Sequence, residues 1–385
     1  MKKIGFILSD NNKDWVGGIN YIANLLHSIY LIKNPKIEIT LIVSPKISRE
    51  LLAQLPPFKI IYSSFVDANN LLSKIVRKLG RIILGRDIVG EIFLDRHGIQ
   101  VLSHSWLMGR KSKIKTITWI PDFQHRRIPE FFSENELKIR DKAMNDAFNE
   151  SSVILLSSID AQKDLEKFSP KTIPRSRVIN FVAGFSGKLN HFIEKDELYK
   201  RYNITGPYFI MPNQFWLHKN HKVVFDALAT NLIKNVPITV ICTGQTYDYR
   251  WPNFYNELLQ YINKIGVSDK IKILGLVPYE DLISLMKYSL AIINPSKFEG
   301  WSTSVEEAKS LGKSIILSNL PVHREQNPEF GTFFDPDDFI TLSKILLNFI
   351  NNPIELDLIE APVNKLTERF SNFGIEYIKL VDILT

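Results

Sequence analysis

Two carboxylates, Glu299 and Glu307, stand in the stretch FEGWSTSVEEAKSLGKSIILSN from Phe298 to Asn319, the part of the chain whose residue types are best suited to hold a ligand. Leu290 to Ile293, just before them, is an apolar run of strand length, and Asn294, Pro295 and Ser296 mark where a strand stops. Glu299 is therefore expected beyond the carboxyl end of a strand. Ser302, Thr303 and Ser304 are hydroxyl residues of the kind that open a helix; Val305, Ala308 and Leu311 follow at helical spacing, and Gly312 closes it. Free backbone N–H groups at such a helix start attract an anion, so a phosphate suits the neighbourhood of Ser302, Thr303 and Ser304. Both carboxylates would repel that anion and are left for neutral hydroxyl groups. Phosphate plus sugar is the ligand chemistry this combination describes.

Other polar residues stand at other strand ends. After the apolar run Tyr208 to Met211 come Pro212, Asn213, Gln214, Phe215, Trp216, Leu217, His218, Lys219 and Asn220, with a helix expected from about His221. Lys219 then sits on the same rim as Glu299, where an ammonium acts as a point charge on phosphate oxygens; a solvated surface lysine is the competing reading. Near the N-terminus, Ile4 to Leu8 leads through Trp15, Val16, Gly17 and Gly18 into a periodic run through Ile22, Leu25, Leu26 and Ile29. Paired glycines let backbone approach a ligand closely and the helix after them offers N–H groups, although an ordinary turn explains a bare Gly-Gly equally well. Asp122, Gln124 and His125 follow the strand Lys115 to Ile120, and His104 follows Val101 to Ser103. All four are expected on the crevice side of a sheet, with His125 the better histidine candidate.

To place such residues together the chain needs parallel strands with their carboxyl ends on one edge. Strand and helix patterns alternate from Ile4 to Leu8 through Ile37 to Val43, Phe58 to Tyr62, Val101 to Ser103, Lys115 to Ile120, Val153 to Leu156 and Arg177 to Phe181. A second alternation runs through Tyr208 to Met211, Ile238 to Cys242, Ile271 to Leu274, Leu290 to Ile293 and Ser314 to Leu317, after a linker-like stretch from Gly184 to Asn190. The pattern predicts an α/β protein of two Rossmann-like, doubly wound parallel-sheet domains facing across a cleft. The 385 residues suit two domains, an N-terminal one over 1–186 and a C-terminal one over 187–367, followed by a C-terminal helix over 368–385.

Composition narrows the function classes. Apolar residues at 45% and charged residues at 23% are ordinary for a soluble globular chain, and no long uncharged apolar stretch or signal peptide is visible, so the expected location is cytoplasmic. The single cysteine, Cys242, lies in an apolar run and excludes a disulfide framework or a multi-cysteine metal site. A net charge of +7 favours an acidic partner, and no zinc-ligand spacing or RNP-like motif points to nucleic acid. Between Leu71 and Leu84 the apolar residues Leu72, Ile75, Val76, Leu79, Ile82 and Ile83 share a helical face, while Lys74, Arg77, Lys78 and Arg81 are basic and Arg86 follows. Such a segment, 71–86, reads as a helix on an anionic membrane surface, which would make the chain peripheral at the inner face of the membrane. The other reading is a helix packed on its own sheet with a solvated basic face, which Gly80 and Gly85 favour by weakening the isolated helix.

From Ile271 to Asp338, and most densely in KILGLVPYEDLISLMKYSLAIINPSKFEGWSTSVEEAKSLGKSIILSN, the chain resembles the sugar-nucleotide region of the GT-B glycosyltransferases of the large retaining family 4, glycosyl transferases group 1. Glu299 and Glu307, with seven residues between them, match that family's two-glutamate motif. Weaker likenesses are Gly17-Gly18 to its N-terminal glycine loop, Ser103-His104-Ser105-Trp106 to its strand-end histidine segment, and Gly331 to Asp338 to the turn after the motif.

The resemblance implies an acceptor side in the first domain, a nucleotide-sugar donor side in the second, and a C-terminal helix packing back towards the first. It implies that Glu299 contacts hydroxyls of the transferred hexose, Glu307 the ribose, and Lys219 and Gly18 the diphosphate, with Gly17, Asn213, Gln214, Gly300, Ser302, Thr303 and Ser304 on the donor side. Asp122 and His125 are its implied catalytic residues of the first domain, although Pro121-Asp122 stands where His-Asp is common. Gln214 stands where the family usually has an arginine five residues before the lysine. The implied activity is hexosyl transfer from a nucleotide-diphosphate sugar to a glycan or lipid-linked acceptor with retention, in cell-surface polysaccharide synthesis, with no metal and no cofactor. A nucleotide-sugar epimerase, a phosphorylase and a non-catalytic nucleotide-sugar-binding subunit are alternatives; a nicotinamide dehydrogenase is disfavoured because the first βα turn lacks GxGxxG.

Overall fold

Strands buried on both faces read as continuous apolar runs, and here those runs pair in parallel throughout. The computed structural model describes residues 1–8, 16–66, 71–104, 107–184, 192–353 and 361–384. Among them the first sheet has seven strands: β1 (Lys2–Leu8), β2 (Ile37–Val43), β3 (Lys59–Tyr62), β4 (Val101–Ser103), β5 (Lys115–Ile120), β6 (Val153–Leu156) and β7 (Ser176–Val178), in the order β3-β2-β1-β4-β5-β6-β7. The second has six: β8 (Tyr208–Pro212), β9 (Thr239–Thr243), β10 (Ile271–Gly275), β11 (Ile292–Asn294), β12 (Ile315–Ser318) and β13 (Gly331–Phe334), in the order β10-β9-β8-β11-β12-β13. Both orders reverse direction after the first strand laid down, between β1 and β4 and between β8 and β11. These are the topological switch points, where a crevice opens beyond the strands' carboxyl ends.

The helices of the first unit are α1 (Val16–Ile32), α2 (Arg49–Ala53), α3 (Leu71–Leu84) and α4 (Ile88–Arg96), then, after the short α5 (Gln124–Arg127), α6 (Glu134–Glu150) and α7 (Ile159–Phe168). Around the second sheet lie α8 (Lys195–Arg201), α9 (His221–Ala229), α10 (Phe254–Ile265), α11 (Tyr279–Tyr288), α12 (Thr303–Leu311), α13 (Pro321–Gln326) and α14 (Phe339–Asn351), and α15 (Ala361–Leu384) ends the described chain. The chain divides into two compact units, one of 1–123, 134–182 and 367–385, the other of 124–133 and 183–366. The ten residues from Gln124 to Ser133, expected in the N-terminal domain, therefore group with the second unit. The expected linker lies mostly outside the described residues, as do Trp15, Ser105 and Trp106.

Strand periodicity is plain in the second unit. Phe209, Met211, Val240, Cys242, Ile293 and Ile316 face one way, against α9, α10 and α14. Tyr208, Ile210, Ile241, Ile292, Ile315 and Leu317 face the other, against α8, α11 and α12. Burial pushes the Cys242 thiol up to about 12, in keeping with an inert strand residue. In the first unit, Tyr21 of α1 stacks on Trp119 at 3.8 Å, and Phe373 and Tyr377 of α15 join them, with the Tyr377 hydroxyl donating to Ser103 Oγ at 2.7 Å.

The apolar face of α3 does not pack on the sheet, which overturns the reading of a helix with a solvated basic face. Ile75, Val76, Leu79, Ile82, Ile83 and Leu84 are exposed, Ile82 and Ile83 at 69% and 73%. The helix instead turns basic residues inward: Arg77 Nε lies 2.6 Å from buried Asp87 and Arg81 Nε 2.8 Å from Glu150. Asp87 also caps α4 by accepting from Gly90 N–H at 2.8 Å, and a Cβ at Gly90 would meet that carboxylate at 2.6 Å. Periodicity identifies which residues share a face; buried Asp87 and half-buried Glu150 decide which face goes in.

Candidate functional site

The loops after β8 and β11 flank the switch point of the second sheet, and they bring Lys219 to Glu299. Lys219 Nζ lies 2.7 Å from Glu299 Oε1, with both side chains largely buried. Lys219 ends a 3₁₀ turn, Leu217–Lys219, and the next residue, Asn220, adopts a left-handed backbone (φ 55°) that asparagine tolerates. Asn220 Nδ2 donates to the carbonyls of Pro295 at 3.0 Å and Pro336 at 2.8 Å, and Lys297 N–H donates to the His218 carbonyl at 2.8 Å. The two loops are thus sewn together on either side of the ion pair. The β9 loop is pressed on the same place, because Gly244 has φ 116° and a Cβ there would lie 2.7 Å from the Asn213 carbonyl.

Glu299 is held by more than Lys219. Ser296 Oγ donates to Glu299 Oε1 at 2.6 Å and to Asn294 Oδ1 at 2.7 Å, and Ser318 Oγ donates to the Ser296 carbonyl at 2.5 Å. Burial pushes the Glu299 carboxyl up, but the Lys219 ammonium, His323 and the hydrogen bonds from Lys219 and Ser296 together outweigh it and hold the carboxyl below its usual range. Burial lowers His323, whose Nδ1 lies 2.8 Å from the Ser318 carbonyl. Glu307, eight positions along on α12, is in the opposite state. Burial pushes its carboxyl up to about 7, against a hydrogen bond from Tyr279 that lowers it.

The hydroxyls expected to cradle a phosphate are partly engaged with the protein. Ser302 N–H donates to Gln326 Oε1 at 3.1 Å, and Asn294 Nδ2 donates to Ser302 Oγ at 2.8 Å and Ser304 Oγ at 3.1 Å. Ser302 precedes α12 as its N-cap without a side-chain capping bond, Gly312 closes the helix at φ 61°, and Thr303 and Gly300 lie between these positions and Glu299. In the β8 loop, Asn213 Nδ2 and Gln214 Oε1 are buried with no hydrogen-bond partner, a state that costs about 1–3 kcal/mol per group unless a ligand supplies one. Gln214 is the position where the resemblance leads one to expect an arginine. Arg250 of the β9 loop is the nearby cation, lying over the Trp216 ring at 5.1 Å, paired to Asp248 at 2.9 Å, and depressing His218 after burial and Lys219.

The remaining sequence candidates divide between the units. Gly17 and Gly18 lie in the first turn of α1, not in a loop before it; Gly17 is exposed and a Cβ there would meet nothing within 4 Å, while Gly18 is buried. Asp122 follows β5 in the first unit. His125 is buried on α5 in the second unit, edge-on to Phe132 at 6.5 Å, and Arg250 Nη1 reaches Gln124 of the same helix at 3.4 Å. His104 is in the first unit, bonded to Tyr21 and Ser103, and burial lowers it to about 3, so it is a neutral packed ring. Sequence reasoning missed Asn294, Ser296, Ser318, His323, Gln326 and Tyr279. Asn294, Ser296 and Ser318 share one signal, a polar residue at or beside the end of an apolar strand run. Among the described residues no three His, Cys, Asp or Glu side chains converge as metal ligands.

Two doubly wound parallel sheets, of seven and six strands with helices on their faces, define the class: this is the GT-B architecture. Similar solved structures include Anabaena Alr3699/HepE in complex with UDP, at 16% identity and TM-score 0.65 over 99% of this chain and 100% of that one. A glycosyltransferase from Rickettsia africae matches at 14% identity and TM-score 0.67 over 99% and 97%. Within that class, residues 194–372 match the family described as glycosyl transferases group 1. The O-antigen chain mannosyltransferase RfbU of Salmonella typhimurium is 27% identical over 34% of this chain, and the glycosyltransferase 1 domain-containing protein 1 of Xenopus tropicalis 30% identical over 22%. These matches span 35% and 26% of the two relatives' own lengths.

Proposed function

We propose that the chain is a glycosyltransferase that moves a hexosyl group from a nucleotide-diphosphate sugar to a glycan or lipid-linked acceptor with retention of anomeric configuration, in cell-surface polysaccharide synthesis on the cytoplasmic side of the membrane. The observation that carries this reading is the Lys219–Glu299 pair at 2.7 Å, beside buried, unpartnered Asn213 Nδ2 and Gln214 Oε1, inside a group 1 domain. The UDP named with the Anabaena structure and the O-antigen chain named for the Salmonella relative support a nucleotide donor and a surface glycan.

Lys219 has three N–H donors and uses one on Glu299, leaving two for diphosphate oxygens. As the bond between the sugar's C1 and the diphosphate breaks, the diphosphate takes the electron pair and the sugar becomes oxocarbenium-like. The acceptor oxygen bonds to C1 on the face that the diphosphate leaves, and its proton passes to a phosphate oxygen. Negative charge grows on the diphosphate throughout, and a preorganised cation such as Lys219 is worth about 3 kcal/mol there. Glu299, with Oε1 held by Lys219 and Ser296, offers Oε2 to the sugar hydroxyls, and Glu307 takes the ribose hydroxyls. Neither carboxylate is a nucleophile, and the reaction needs no metal, so a chelator leaves its rate unchanged.

The test is transfer of labelled hexose from UDP-, GDP-, ADP- and dTDP-sugars by the wild type, Glu299→Ala and Glu299→Gln. Both variants are expected to lose at least about a hundredfold in turnover while retaining nucleotide diphosphate binding. Unchanged turnover overturns the assignment. The neutral Gln214 favours one second reading, a non-catalytic nucleotide-sugar-binding subunit; donor binding with no turnover on any acceptor selects it.

A further inference from the structure

The loop after β9, from Gly244 to Asn253, carries a surface that the donor chemistry does not use. Three of its side chains are aromatic and turned to solvent: Tyr247, Tyr249 and Trp251, exposed at 55%, 62% and 42%. The residues between them point inward. Asp248 is buried and accepts from Arg250 at three places, the backbone N–H at 3.0 Å and Nε and Nη2 at 2.9 Å each, while Trp251 N–H donates to the Asp248 carbonyl at 3.1 Å. The Arg250 guanidinium lies over Trp216 at 5.1 Å, Phe132 at 5.4 Å and Tyr249 at 5.8 Å, and Gly244 presses the start of the loop on Asn213. Three rings are thus displayed on a braced loop instead of being packed in the core, which marks a recognition surface.

The rest of the loop selects the ligand. Its only charges, Asp248 and Arg250, are paired with each other, so the displayed face is uncharged and offers nothing to a phosphate or a carboxylate. Gln245, Thr246 and Asn253 supply amide and hydroxyl groups on the same loop. Aromatic faces with such groups beside them complement a sugar ring, which has an apolar C–H face and an edge of hydroxyls. A stable protein interface uses roughly 20–30 residues a side, more than this loop holds. In the sheet, β9 lies two strands from β11, about 10 Å across, so a sugar on these rings is not the hexose at Glu299.

We propose that Tyr247, Tyr249 and Trp251 form a saccharide-binding platform that stacks a sugar ring of the acceptor glycan, one that does not itself react. The ligand class is a neutral oligosaccharide. Calling that ligand the acceptor rests on the glycosyl-transfer reading; the platform itself does not, because oligosaccharide binding is measured without donor.

The experiment is calorimetric titration of the full chain with neutral di-, tri- and tetrasaccharides of glucose, galactose, mannose and N-acetylglucosamine, in the absence of nucleotide. Wild type is expected to bind at least one of them. Tyr249→Ala and Trp251→Ala should each weaken that binding about tenfold. Tyr249→Phe and Trp251→Phe keep a ring face and should stay within about threefold of wild type. Thermal midpoints should not move, since both side chains are solvated, and UDP and GDP should bind every variant equally. No binding of any oligosaccharide by wild type overturns the proposal, as does binding that the alanine variants leave intact or that the phenylalanine variants lose as fully. Loss of UDP or GDP affinity in the alanine variants also overturns it, and gives the rings to the donor base. Ring-dependent oligosaccharide binding in a chain that transfers hexose from no donor upholds the platform and removes only the acceptor assignment.

Discussion

Two buried glutamates eight positions apart carry opposite perturbations, and the Lys219 ammonium beside Glu299 is the largest difference between them. Glu299 has Lys219 at 2.7 Å and stays ionised; Glu307 has only the Tyr279 hydroxyl and holds its proton to about 7. The second state has a stability consequence. In the unfolded chain the Glu307 carboxyl ionises near 4.5. Between that value and about 7 the unfolded state has released a proton that the folded state keeps, so stability falls as pH rises through this window and is level above it. The cost of ionising Glu307 in place is of the order of 3 kcal/mol at about pH 8. Glu307→Gln removes the titration, so the variant should match wild type near pH 4.5 and exceed it by up to that amount at pH 8. Denaturant unfolding across the range measures it, and a pH-independent difference between the two proteins would refute the assignment.

At the scale of elements, the site is a set of loops whose spacing is set by close backbone contact. Gly244 permits the β9 loop to touch the β8 loop, and Asn220 ties the β8 loop to the one after β11. Gly244→Ala forces a Cβ into the Asn213 carbonyl at a backbone φ of 116°. It should cost about 1–3 kcal/mol in stability and weaken nucleotide diphosphate binding by displacing the loop that carries Lys219. Gly206→Ala is the control, since a Cβ there meets nothing within 4 Å and should be near neutral. Equal effects of the two changes, measured by thermal melting and calorimetric titration, would show that the contact does not position the loop.

These loops also show where the sequence was legible and where it was not. The strands that carry the site could be read because Tyr208 to Met211 and Ala291 to Ile293 are wholly buried runs, and the carboxyl rim follows from chain direction. Residue types at the rim could be read too, so Lys219 and Glu299 were expected together and are paired. Partners could not. Asn294 takes the Ser302 and Ser304 hydroxyls and Gln326 takes the Ser302 amide, contacts set by tertiary approach of segments up to 24 residues apart. The orientation of α3 was hidden for the same reason, because Arg77 meets Asp87 and Arg81 meets Glu150 only in the folded unit.

For the whole molecule, the two units divide the chemistry. The Lys219–Glu299 pair, Glu307 and the unpartnered Asn213 and Gln214 atoms all belong to the second unit, whereas the bare apolar face belongs to the first. A ligand that binds only the folded state stabilises it by about 2.7 kcal/mol at a hundred times its dissociation constant, and that stabilisation appears where its contacts are made. A nucleotide diphosphate should therefore slow amide exchange in the loops after β8, β11 and β12, over 213–220, 294–304 and 318–326, and leave the backbone of α3 and α4 unchanged. The nucleotide giving the largest thermal shift among UDP, GDP, ADP and dTDP identifies the donor base. Protection confined to the first unit would overturn the placement of the donor on the second sheet's rim, whereas protection equal for all four nucleotides and for inorganic pyrophosphate would mean that the rim recognises phosphate without the nucleoside, and Glu307 would lose its ribose role.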